Sequence, residues 1–155
     1  MTVVIGVGNA DRGDDAAGLV IARRLAARRL PGVTVVESDG EAGGLLDAWS
    51  GMDLVVVVDA TSGAGRPGSV HRYEAARRPL PAALRHASTH SLGLAAAVEL
   101  ARALNELPPR LVVVGIEGRD FGTGAAVSPD VRQALDGALD LVTKEIDGAG
   151  SPVSR

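Results

Sequence analysis

The sequence lacks cysteine altogether and has very few aromatic residues. Without cysteine, none of its 155 residues can supply a thiol nucleophile, a disulfide, or a thiolate ligand for zinc or an iron–sulfur cluster. Trp49, Tyr73 and Phe121 are the whole aromatic set, 2% of the chain. Proteins that bind single-stranded nucleic acids depend on exposed rings for base stacking, so this class is disfavoured.

The sequence also lacks an excess of charge and a long apolar run. Sixteen basic and nineteen acidic residues give a formal net charge of −3, which predicts neither a nucleic-acid partner nor an anionic membrane surface. No purely apolar run is longer than the five residues from Leu54 to Val58, far fewer than the roughly 20 residues that span a bilayer. Met1 leads directly into Thr2–Gly6 with no basic segment of a signal peptide. We therefore expect a cytoplasmic protein with no membrane partner.

The hydrophobic pattern alternates between short β-branched runs and longer helical stretches. Its periodicity predicts strands at Val3–Val7, Val33–Val36, Leu54–Val58 and Leu111–Ile116, and helices at Asp14–Leu30, Leu92–Leu107 and from Ser128 onwards. Near-continuous apolar strands are typical of parallel sheets that are buried on both faces. The prediction is an α/β three-layer sandwich, with a mainly parallel twisted sheet of about five strands and helices on both faces.

Three further features complete the predicted organisation. Ser69–Tyr73 follows the third strand too closely for a crossover and is expected to run antiparallel. Ala48 and Trp49 are expected on a short helix before that strand. The length fits one domain, residues 1–147, followed by a flexible tail at 148–155.

Ligands of open α/β sheets bind outside the carboxyl ends of the strands, where this sequence places three polar segments. The first strand is followed by a glycine-rich stretch that contains Asp14 and Asp15, at the predicted start of a helix whose dipole favours negative charge. Asp59 ends the most apolar strand. His90 lies in the first turn of a predicted helix, where the dipole keeps its imidazole neutral.

These placements bring Asp15, Asp59 and His90 to one edge of the predicted sheet. Two carboxylates and an imidazole suit a divalent first-row metal, and they equally suit acid–base activation of water. A dinucleotide site is disfavoured because Asp11 occupies the third glycine position of G-x-G-x-x-G. Neither the H-E-x-x-H zinc motif nor the G-x-S-x-G serine motif occurs.

The sequence resembles the hydrogenase maturation proteases, the endopeptidases that trim the large subunit of [NiFe] hydrogenases. Four blocks carry the resemblance, in order along Val3 to about Val142: Ile5–Asn9 with Asp14, Asp15 and Gly18; Val56–Ala60; Ser88–Leu94; and Gly115–Glu117. It departs from the family pattern at Asp11 and Ala16, and the threonine expected after Asp39 is missing.

The resemblance implies a phosphorylase/hydrolase-like sandwich and a defined activity. Such a protease removes the C-terminal extension of the large-subunit precursor after nickel insertion, and it recognises nickel carried by the substrate rather than by a resident cofactor. Asp15, Asp59 and His90 correspond to the family's nickel-sensing and catalytic residues. Asp39 corresponds to a further family aspartate, and Glu41 lies in the same stretch.

Two other functions are compatible with parts of the pattern. A peptidyl-tRNA hydrolase also begins with a G-x-G-N strand end, but its histidine follows soon afterwards, whereas the first histidine here is His71. A non-catalytic protein that handles nickel or docks the precursor would use the same three ligands. His71 and His86 are interpreted as surface residues.

Overall fold

The structure, a computed structural model, describes residues 1–81 and 93–150, the last two by their backbone alone. Within these residues the elements are β1 (Thr2–Val7), a 3₁₀ turn (Gly13–Ala16), α1 (Ala17–Ala27), β2 (Val33–Ser38), α2 (Ala42–Trp49), β3 (Leu54–Thr61), β4 (Val70–Glu74), α3 (Gly93–Ala103), β5 (Arg110–Glu117) and α4 (Pro129–Gly150). None of the helices in these two ranges combines the length and the apolarity that crossing a bilayer requires.

The five strands form one sheet in the order β2-β1-β3-β5-β4. The pairs β1–β2, β1–β3 and β3–β5 are parallel, and β4 runs antiparallel to β5, as predicted. After β1 the chain forms β2 at one edge of the sheet. After β3 it forms β4 and β5 on the opposite side of β3. The neighbouring strands β1 and β3 therefore flank the point where the strand order reverses, the usual ligand-binding position in open α/β sheets.

Alternate residues of the central strands face two separate apolar cores. On one face, odd-numbered residues such as Ile5, Val57 and Val113 pack with α2 and α3. On the other face, even-numbered residues such as Val56 and Val114 pack with α1 and α4. This arrangement is the predicted three-layer sandwich. The short helix expected around Ala48 and Trp49 is α2.

Two predicted helices are longer than the helices in the structure. The segment Asp14–Leu30 begins as the 3₁₀ turn, and α1 spans Ala17–Ala27, because the backbone of Asp14 and Asp15 takes a tighter path. The predicted Leu92–Leu107 helix ends at Ala103. Its end is a left-handed Asn105 (φ 56°), after which the Glu106 amide donates to the Ala101 carbonyl.

Three finer expectations also differ from the structure. Leu104, which lies inside the predicted helix Leu92–Leu107, is 55% exposed, because it lies beyond the end of α3. Strand β2 is only partly buried, since it lies at the edge of the sheet and not within it. Helix α4 continues to Gly150, two residues beyond the predicted start of the tail at 148, and residues 151–155 lie outside the described residues.

Candidate active site

Glycines bring the start of α1 unusually close to the ends of β1 and β3. A Cβ atom at Gly18 would lie 2.3 Å from the Val58 carbonyl oxygen and 2.5 Å from that of Val7. A Cβ at Gly8 would lie 1.9 Å from the carbonyl oxygen of Asp15. Side chains at these positions would push the backbone apart. The two glycines therefore allow Asp15 to lie directly at the point where the strand order reverses.

Asp15 and Asp59 are brought together at this point. Both are buried, at 2% and 4% exposure, although carboxylates are rarely buried without compensation. Burial raises the pKa of Asp59 well above its ordinary value, and the negative charge of Asp15 raises it further. The Ala60 amide donates to Asp59 Oδ1 at 2.8 Å, which opposes this shift. The site therefore concentrates acidic oxygens where a cation or a proton is stabilised.

Asp14 has a different role from its neighbour. Its Oδ1 accepts a hydrogen bond from the Ser128 amide (2.6 Å), and its Oδ2 accepts from the Arg119 amide (2.7 Å), the Asp120 amide (3.0 Å) and the Ser128 hydroxyl (2.8 Å). Burial raises the pKa of Asp14, but these hydrogen bonds outweigh it and hold the pKa below its ordinary value. Asp14 is thus an ionised link between the 3₁₀ turn and the β5–α4 connection.

The Glu117 carboxylate, at the end of β5, also links two segments of the chain. Its Oε1 accepts from the Thr61 hydroxyl (2.7 Å) and the Ala64 amide (3.0 Å), and its Oε2 accepts from the Gly63 amide (2.8 Å). These bonds hold the loop that follows Asp59 on β3. Because the Glu117 carboxylate is occupied by the loop, its observed contacts are structural.

Asp39 lies at the same edge of the sheet, after β2, but at the surface. Its Oδ1 accepts from the Glu41 amide at 2.9 Å, an Asx-type turn. Glu41 in turn caps α2, because its carboxylate accepts from the amides of Gly43 and Gly44. Asp39 lines an open cleft of about 490 Å³ together with Gly8, next to Asp15 in the fold.

The fourth predicted residue, His90, lies outside the described residues, as do His86 and Ser88. The described chain resumes at Gly93, where a Cβ atom would lie 1.5 Å from the carbonyl oxygen of Gly40. The start of α3 is therefore packed tightly beside Asp39. Residues 1–81 and 93–150 contain no group of three or more His, Asp or Glu side chains arranged to hold a metal ion.

Three features of the site were not anticipated from the sequence. Asp14 and Asp15 were expected to act together at the start of a helix. In the structure they have different roles: Asp14 is hydrogen-bonded to the β5–α4 connection, and Asp15 lies beside Asp59. Glu117 had no predicted role, although it is an acidic residue at the end of a buried apolar strand, much as Asp59 lies near the end of β3, and that signal could have identified it. The hydroxyl of Ser128, where the last helix was predicted to begin, donates to Asp14.

The fold and the buried acidic residues define an α/β protein with its site at the reversal point of a mainly parallel sheet. A family model described as hydrogenase maturation protease matches residues 20–145. The chain belongs to this family, and it is accordingly a hydrolase, an endopeptidase.

Individual relatives agree with this assignment. The chain is 29% identical to the hydrogenase 2 maturation protease of Escherichia coli K12, over 96% of this chain and 92% of the relative. It is 25% identical to the hydrogenase expression/formation protein HupD of Thiocapsa roseopersicina, over 99% of this chain and 71% of the relative.

Solved structures show the same fold. The maturating endopeptidase HybD from E. coli superposes with a TM-score of 0.82 at 24% identity, covering 96% of this chain and 93% of the other. A second endopeptidase structure from E. coli gives a TM-score of 0.82 at 26% identity, covering 97% and 94%. The predicted family and fold are thus confirmed, and the peptidyl-tRNA hydrolase alternative is set aside.

Proposed function

We propose that this endopeptidase removes the C-terminal extension of the large-subunit precursor of a [NiFe] hydrogenase, and that Asp15, Asp59 and His90 recognise nickel already bound in that precursor. The buried pair of Asp15 and Asp59 is the observation that carries the proposal. The charge of Asp15 disfavours that of Asp59, and a divalent cation held by the buried pair would favour both charges. The proposal places the reaction in the cytoplasm, the compartment predicted from the sequence.

The types of ligand fit a metal that belongs to the substrate. Carboxylate oxygens and one imidazole can complete the coordination of a nickel ion that precursor thiolates already hold. A protease rich in cysteine would instead compete with the precursor for the metal, and this chain has no cysteine. Asp15 and Asp59 therefore recognise the ion without removing it from the precursor. No resident metal is part of the proposal.

His90 is proposed as the third ligand. In the described part of the chain, Asp15 and Asp59 are the two buried carboxylates proposed as ligands and no group of three possible ligands occurs, so a further side chain is needed to complete the set. Gly93, three residues after His90 in the sequence, is packed against Gly40, beside Asp39 and at the same edge of the sheet as the acidic pair. This position of Gly93 supports the assignment.

The same residues account for peptide hydrolysis. A carboxylate whose pKa is raised is a stronger base, so we assign Asp59 to accept a proton from the attacking water. Nickel in the substrate supplies a positive charge that can polarise a nearby carbonyl. Asp39, exposed at the cleft beside Gly8, is assigned to contact the substrate chain, and its substitution is expected to have a smaller effect than that of Asp15 or Asp59.

The test compares cleavage of nickel-loaded and nickel-free precursor by purified protein, followed by intact mass. Wild type should shorten the loaded precursor and leave the nickel-free form intact. Asp15→Asn, Asp59→Asn and His90→Ala should each lower the rate at least about a hundredfold. His71→Ala, a histidine outside the proposed site, and Asp136→Asn, an exposed aspartate of α4, serve as matched controls and should cleave at the wild-type rate.

The results separate the activity from the site assignment. An intact loaded precursor after incubation with wild type would contradict the proposed function. Full activity of Asp15→Asn would contradict the site but not the function. Calorimetry with free Ni²⁺ tests the remaining alternative: we expect weak binding in the absence of precursor, whereas tight binding would favour a protein that carries nickel itself.

A further inference from the structure

We infer that Asp14 is the positioning residue for Asp15: its carboxylate fastens the 3₁₀ turn to the β5–α4 connection and thereby sets where Asp15 lies beside Asp59. This inference rests on the proposed function for its catalytic consequence, because Asp14 acts through Asp15. The anchoring itself follows from contacts in the structure, and it can be tested separately.

Backbone contacts as well as the Asp14 side chain join the turn to the connection. In addition to the four hydrogen bonds that the Asp14 carboxylate accepts, the Asp14 amide donates to the Asp120 carbonyl at 2.8 Å. A Cβ atom at Gly13 would lie 2.3 Å from the same Asp120 oxygen. The turn is therefore in direct contact with residues more than one hundred positions away in the sequence.

The side chains of Asp14 and Asp15 leave the turn in different directions. A 3₁₀ turn has three residues per turn, so the side chains of consecutive residues point about 120° apart. The Asp14 side chain reaches Arg119, Asp120 and Ser128, while Asp15 lies close enough to Asp59 to raise its pKa. Fastening one side chain of the turn therefore determines the direction of the other.

The link consists of strong hydrogen bonds to two parts of the fold. Hydrogen bonds to an ionised carboxylate are among the stronger ones in proteins, and Asp14 accepts four of them. Arg119 and Asp120 follow β5 and Ser128 directly precedes α4, so the bonds join the turn to both ends of the connection. The link thus holds the turn that carries Asp15.

The test measures kcat and KM for nickel-loaded precursor together with the free energy of unfolding in urea. In Asp14→Asn an amide NH₂ replaces one carboxylate oxygen and faces hydrogen-bond donors. We expect kcat to fall about a hundredfold while KM stays within about twofold, because a displacement of about 1 Å has effects of this size. Ser128→Ala, which removes one of the four bonds, should fold and lower kcat about tenfold.

Val142→Ala is the control for a purely structural effect. Val142 is fully buried in the core between the sheet and α4, far along the helix from Ser128. The substitution should destabilise the protein without changing kcat more than about twofold. If Val142→Ala lowers kcat as much as Asp14→Asn, or if Asp14→Asn raises KM and leaves kcat unchanged, the inference is overturned.

Amide hydrogen exchange distinguishes this inference from the proposed function. Asp14→Asn should accelerate exchange at Gly13–Ala16 more than Val142→Ala does, whether or not the precursor is cleaved. If wild type cleaves nothing but exchange responds in this way, the proposed function fails and the anchoring role of Asp14 is supported. Unchanged exchange at Gly13–Ala16 in Asp14→Asn overturns the anchoring role.

Discussion

The negative charge of Asp15 raises the pKa of Asp59, although the two residues are 44 positions apart, Asp15 in the 3₁₀ turn after β1 and Asp59 within β3. This coupling arises because β1 and β3 are neighbours in the sheet and because Gly8 and Gly18 let the backbone of the turn approach both strand ends. The site thus depends as much on two residues without side chains as on the two acidic residues themselves.

Asp59→Asn is expected to stabilise the protein in the absence of substrate. Because the folded pKa of Asp59 is raised, wild type is favoured at low pH and loses stability as pH rises through that pKa. Asparagine carries no charge and keeps the oxygen that accepts from Ala60. At pH 7.5 the variant should be more stable by about 1 kcal/mol, as is common when a functional charge is removed.

Urea unfolding at pH 7.5 and pH 4.5 checks this prediction. The advantage of Asp59→Asn should be larger at pH 7.5 than at pH 4.5, and Asp136→Asn, an exposed control, should show no such trend. A variant less stable than wild type at pH 7.5 would contradict the account of a destabilising buried pair.

Asp14→Asn is expected to have the opposite effect on stability. The folded pKa of Asp14 is lowered, so its ionised form contributes stability above the ordinary aspartate pKa, and this is lost as pH falls through the folded pKa. At pH 7.5 the variant should lose about 1–3 kcal/mol, the cost of leaving buried donors unsatisfied. The difference from wild type should shrink below about pH 4, measured by chemical denaturation.

Glu117→Gln tests the link between β5 and the loop after Asp59. The amide NH₂ would face the Thr61 hydroxyl or the amides of Gly63 and Ala64, so we expect a loss of about 1–3 kcal/mol in the free energy of unfolding. Exchange at Gly63 and Ala64 should accelerate. Glu106→Gln, at an exposed position, should stay within about 0.5 kcal/mol of wild type. Equal stability of the two variants would argue against the link.

Gly18→Ala and Gly137→Ala form a matched pair of helical glycine substitutions. A methyl group at Gly18 meets two strand carbonyls and should destabilise the protein by at least about 1–3 kcal/mol and lower activity by displacing Asp15. Gly137, on α4, has open space around it, so alanine there should stabilise the protein by about 1 kcal/mol. Thermal unfolding of both variants gives the comparison, and a neutral Gly18→Ala would show that α1 can move away freely.

Much of the fold could be predicted because apolar runs and helical periodicity are local signals. The strands around Val56 and Val113 are apolar enough to be recognised as buried, and the short gap before Ser69 implies an antiparallel return. Helix ends were predicted less well. The segment after α3 leaves the helix through the left-handed backbone of a single residue, Asn105, and hydrophobic periodicity does not indicate such a conformation.

The site could be predicted to the extent that strand ends indicate where polar residues meet. Asp15 follows the apolar strand β1 and Asp59 lies near the end of the apolar strand β3, and the structure brings the two together. The distinction between Asp14 and Asp15 could not be predicted, because the four donors to Asp14 belong to residues 119–128 and become its neighbours only when the sheet is assembled. The loop contacts of Glu117 depend on the tertiary structure in the same way.

The burial of Asp59 beside Asp15 has a consequence for substrate choice in the proposed reaction. A precursor without its metal would cover two like-charged groups without supplying a positive charge, so docking would increase their mutual repulsion. With a nickel-loaded precursor, the electrostatic contribution of the pair to the binding free energy becomes favourable. Immature chains are then rejected by an energetic penalty and not merely by a missing attraction, which is how specificity is achieved when two competing substrates share nearly the same surface.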